Sequence, residues 1–100
     1  MDLYSAPVRT FKTYAHKILE EQTLEVQKHY SSKEGVKRSL RLKVFNEQLN
    51  ILKEHLQSRL SDIVVKSGIK SSKDKATLEK KLSVCYDECI NEFLKRDFDV

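Results

Sequence analysis

The sequence predicts an all-α fold, a three-helix up-down-up antiparallel bundle with a long central helix, occupying residues 1–100 as one domain. Three observations point there. Apolar residues recur in steps of three and four along three separate stretches, the spacing that gathers side chains on one helical face. With two glycines and one proline in 100 residues, the chain is poor in turn punctuation, so long uninterrupted elements are expected. The two segments between the stretches each place a serine three residues before an acid, the spacing of a capping box at a helix start. A helical hairpin completed by dimerisation is the alternative architecture.

The first helix is expected over residues 6–30, where Val8, Phe11, Ala15, Ile18, Leu19, Val26 and Tyr30 share a face and Gln22 is the polar interruption. Ser5 is a candidate N-cap. Pro7 falls in the first turn, where a missing N–H removes no helical hydrogen bond. In "YSSKEGV", Ser31 and Glu34 have capping-box spacing and place a tight turn near residues 30–32. Gly35 weakens the following turn without forbidding it.

The second helix, about 33–66, carries the strongest pattern: Leu42, Phe45, Leu49, Leu52, Leu56, Leu60 and Ile63, close to a heptad stripe. It ends in "KSGIKSSKD", where Gly68 suits a left-handed C-terminal residue and Ser71 with Asp74 repeats the capping-box spacing. The third helix, about 72–96, gathers Leu78, Leu82, Cys85, Tyr86, Cys89, Ile90 and Phe93 on one face.

Cys85 and Cys89 are one helical turn apart and point with Leu82 and Phe93, while Asp87 and Glu88 project elsewhere. A zinc site needs about four ligands at matched spacing. No second cysteine pair exists and His16, His29 and His55 are scattered, so both thiols read as core residues and neither a metal nor any other cofactor is expected. Catalytic readings fare no better. Glycine-rich phosphate loops, HExxH and nucleophile elbows are all missing from the sequence. The acid pairs Glu20/Glu21 and Asp87/Glu88 diverge by about 100° on a helix, and His55 reads as a boundary residue beside the apolar stripe. A non-enzymatic protein without a small-molecule substrate is the expectation.

No apolar run approaches the roughly 20 residues needed to cross a bilayer, and no secretory signal is visible, so an intracellular, cytoplasmic setting is expected. The first nineteen residues contain a single acid, a composition shared with organelle transit peptides, but their apolar stripe continues past Glu20 and Glu21 as an ordinary amphipathic helix does.

Two features exceed what a core requires. Val36, Leu40, Val44 and Ile51 form a line on the second helix displaced by roughly 100 to 180° from the main stripe. Either this helix buries a wide arc, or the line docks a partner protein or a second copy of the chain. Interleaved with it is "VKRSLRLK", in the region where positive charge concentrates. Residues 31–70 hold nine Lys and Arg against four Asp and Glu, and the pI is about 9.1. Lys37, Arg38 and Arg41 cluster there and Lys43 points away. A protein-interaction module follows, such as a complex subunit, adaptor or assembly chaperone, with the apolar line making contact and the three basic residues steering an acidic partner. The alternative is a small basic helical regulator that binds nucleic acid. The terminal "DFDV" has the form of a tail that adds to a sheet edge.

Overall fold

The computed structural model describes the backbone of residues 3–31 and 38–96 and the side chains of 3–28 and 42–96. Three α-helices are present and, among the described residues, no strand: α1 (Ser5–Ser31), α2 (Arg38–Lys66) and α3 (Ser72–Lys95). Each packs against both others. Named contacts fix the directions. Tyr4 reaches Asp74 at one end and Arg96 reaches Thr23 at the other, so α1 and α3 run the same way. Phe45, early in α2, stacks on Phe93, late in α3, with ring centroids 5.2 Å apart, so α2 runs against both. The result is the up-down-up bundle, with its core completed inside one chain.

Helix length sets the shape. At about 1.5 Å per residue the 29 residues of α2 span about 44 Å, and the molecule measures 55 × 19 × 18 Å. Its radius of gyration, 16.3 Å, exceeds the roughly 13 Å of a compact chain of this size. None of the helices is long and apolar enough, among the described residues, to cross a membrane.

The core runs along the axis. Helix α1 contributes Phe11, Ala15, Ile18, Leu19 and Val26; α2 contributes Leu52, Leu56, Leu60, Ile63 and Val64; α3 contributes Leu78, Leu82, Cys85, Cys89, Ile90 and Phe93. The expected stripes are therefore present with two changes on α2. Leu42 is 52% exposed, because it lies one turn beyond the Phe45–Phe93 stack, where α3 is about to end. Val64 joins the core at the opposite end, beside the connection to α3. On α1 the polar intrusion is wider than expected, since Gln22 and its neighbour Thr23 are both buried.

The helix ends correct several expectations. Val8 N–H donates to the Tyr4 carbonyl at 3.0 Å, so Tyr4 stands at the N-cap and Ser5 is already helical. Pro7 remains within the first turn, where no intrahelical acceptor awaits an N–H. Helix α1 continues through Ser31, so that residue closes the first helix rather than opening the second; Glu34 and Gly35 lie outside the described residues. At the second connection Gly68 adopts φ 76°, the left-handed conformation that glycine reaches without a Cβ penalty. The Ser67 hydroxyl donates to the Val64 carbonyl at 2.7 Å and accepts from Ile69 N–H at 3.3 Å. Ser71 caps α3 by accepting from Asp74 N–H at 3.4 Å. The Asp74 carboxylate accepts from the Tyr4 hydroxyl at 3.4 Å, tying the cap to α1.

Candidate functional site

The surface that the sequence singles out begins at the start of α2. Val36 and Lys37 lie outside the described residues. Arg38, Leu40 and Arg41 belong to the first turns of α2, with side chains outside the described set. The C-terminal "DFDV" lies within residues 97–100, also outside it.

Val44 and Ile51 can be placed. They are seven residues apart, two helical turns, and so lie along one line of α2. Both are half-buried. The half-buried apolar side chains packed on the core are Tyr4, Val8, Tyr14, Phe45, Leu49, Ile69 and Tyr86, and Val44 and Ile51 stand outside that set. Continuing by sevens, the line passes Ser58 and reaches Val65, which is 79% exposed. Sequence reading missed Val65 because it stopped the line at Ile51. The signal that would have found it was the same interval carried two steps further.

Beside the lower half of this line, an open concavity of about 400 Å³ faces solvent between α1 and α2. Tyr14 supplies the α1 wall. His55, Ser58, Arg59, Ser61 and Asp62 supply the α2 wall, and Val65 stands at its rim. The helical period explains the gathering, because 55, 58, 59 and 62 follow steps of three and four. The Tyr14 hydroxyl lies 3.4 Å from His55 Nδ1, and the Arg59 guanidinium carbon lies 4.9 Å from the Tyr14 ring centre. Asp62 pairs with Lys66 at 3.2 Å. His55 is exposed rather than at the core boundary its place beside the stripe suggests, and it has a tyrosine partner the sequence did not reveal.

The α1–α3 seam holds the remaining polar chemistry. The Arg96 Nη2 donates to Glu20 Oε1 at 2.7 Å and its Nη1 to Thr23 Oγ1 at 3.2 Å. That hydrogen bond from Arg96 lowers the Glu20 pKa, and the same contact raises that of Arg96. Thr23 in turn donates to the Leu19 carbonyl at 2.7 Å.

Cys85 and Cys89 are free thiols in the core. Burial pushes both pKa values up, that of Cys89 to about 11, and Cys89 Sγ donates weakly to the Ala15 carbonyl at 3.6 Å. A raised pKa opposes the thiolate that metal binding and nucleophilic attack both need. Among the described residues no group of three or more His, Cys, Asp or Glu side chains is placed to hold a metal ion.

Fold and surface together define a small helical bundle whose central helix carries the half-buried Val44 and Ile51 and the exposed Val65 on one line, with a polar concavity alongside. No protein-family model, curated protein or solved structure matches the chain.

Proposed function

We propose that this chain is a non-enzymatic protein-interaction module, a subunit, adaptor or assembly chaperone that offers the outer line of α2 to a partner helix. The observation that supports it is the line itself: Val44 and Ile51 are half-buried without joining the core set, and Val65 is open to solvent. Apolar residues recurring at helical spacing on an outer face match the anchors by which an amphipathic helix docks. Arg38 and Arg41, in the first turns of the same helix, would steer a partner of opposite charge, an effect on association rate more than on affinity.

The test is a photo-cross-linking residue at position 51, compared with one at the exposed Lys53, about 200° round α2, together with molar mass in solution. The reading expects a discrete adduct from position 51 that disappears on Val44→Asp and persists at high salt. A concentration-dependent rise above 11.7 kDa would identify the partner as a second copy. A mass shift with nucleic acid that vanishes at high salt and in Arg38→Glu/Arg41→Glu, with no position-51 adduct, would replace docking by phosphate-backbone binding.

A further inference from the structure

We infer that the concavity between α1 and α2, walled by Tyr14, His55, Ser58 and Arg59, is a binding site for a phosphate monoester. The inference is independent of the docking line and begins with Arg59. Its guanidinium sits over the face of the Tyr14 ring, 4.9 Å from the centre, a contact that restrains the group while leaving its N–H edge available. No carboxylate among the described residues pairs with it; the nearby acid, Asp62, is held by Lys66 at 3.2 Å.

The Tyr14–His55 pair adds a second donor whichever way its hydrogen bond runs. If the Tyr14 hydroxyl donates to Nδ1 across the 3.4 Å contact, the ring proton resides on Nε2 and points to another acceptor. If Nδ1–H donates to the hydroxyl oxygen, the phenolic proton is the one released for an anion. Two hydroxyls complete the set. Thr10, Thr13, Thr23 and Thr77 each return their hydroxyl to the carbonyl four residues back, the usual fate of a hydroxyl inside a helix. Ser58 and Ser61 make no such bond among the described residues, and both line the concavity.

One guanidinium, one imidazole or phenol donor and two hydroxyls line the one concavity, beside an Asp62 carboxylate that Lys66 neutralises, and these donors suit the three terminal oxygens of a monoester and its charge of about −2 at neutral pH. A polynucleotide calls for something else, a row of cations tracking successive phosphates with aromatic rings for bases to stack on. Among the described residues Arg59 is the one cation lining the concavity, and the Tyr14 ring is already covered by it.

The experiment uses the full chain and NMR of the His55 ring and the Arg59 Nε–H group, titrated with inorganic phosphate at constant ionic strength. O-phosphoserine and glycerol 3-phosphate follow. Saturable shifts confined to the concavity are expected, weakened about tenfold or more in Arg59→Gln and less in Ser58→Ala/Ser61→Ala, with the spectrum elsewhere unchanged. Tighter binding of phosphoserine would assign the group to a modified side chain, and equal binding of all three would assign it to monoesters generally; both uphold the site. Shifts that never saturate, an undiminished affinity in Arg59→Gln, or preferential perturbation of the same residues by single-stranded RNA would overturn it.

Discussion

Replacing Gln22 by methionine is expected to make the protein more stable, against the usual direction for a buried substitution. Gln22 is 9% exposed, on the apolar face of α1 between Leu19 and Val26. Its Oε1 has no hydrogen-bond partner among the described residues. A buried acceptor left unsatisfied costs about 1–3 kcal/mol. Methionine matches glutamine in length and helix propensity and brings no acceptor, so most of that penalty is relieved while the volume stays filled. We expect a gain of about 1–2 kcal/mol, seen as a higher urea midpoint with unchanged slope, and a melting temperature roughly 5–10 °C higher. The neighbouring Thr23 is the control. Its hydroxyl donates to the Leu19 carbonyl and accepts from Arg96, so Thr23→Val, nearly equal in shape, should lose about 1 kcal/mol. A loss of stability in Gln22→Met, matching that of Thr23→Val, would refute the reasoning, since it would mean that the Gln22 amide has a partner it depends on.

Two further outcomes follow from the α1–α3 seam. Because burial holds the Cys89 thiol near pKa 11, only about one molecule in a thousand carries its thiolate at pH 8; alkylation of Cys85 and Cys89 should be slow in the native protein and fast once urea unfolds it, read by mass spectrometry. The hydrogen bond from Arg96 lowers the Glu20 pKa, so the folded state binds that proton more weakly than the unfolded chain does. The contribution is present above the ordinary Glu value of 4.5 and is lost as pH falls through the depressed folded value. Glu20→Gln should therefore flatten the acid side of the stability profile and leave the alkaline side unchanged, whereas an unaltered acid side would show that the pair contributes nothing.

The architecture was legible because it depends on periodicity. Steps of three and four place Phe11, Leu52 and Phe93 on inner faces whatever surrounds them, and the Gly68 and Ser71 signals depend only on local backbone chemistry. Errors arose where a residue's fate depended on what the other helices do at that level. Leu42 fits the α2 pattern as well as Leu49 does, yet burial there needs α3, and nothing within α2 records where α3 stops. Thr23 resembles a surface residue until Arg96, 73 positions away, reaches its hydroxyl.

The same distinction governs the two surfaces. The Val44–Ile51 line lies on a single helix and could be read by counting. The concavity could not, because its walls come from α1 and α2 and its chemistry lies in pairs, Tyr14 with His55 and Tyr14 with Arg59, that are 41 and 45 residues apart. Alone, His55 is a boundary histidine and Arg59 one of nineteen Lys and Arg residues. Antiparallel packing brings both to one ring, which restrains the guanidinium and leaves a donor beside it. That juxtaposition separates Arg59 from the basic run at the start of α2, where charge is denser but sequence alone supplies no partner to orient it.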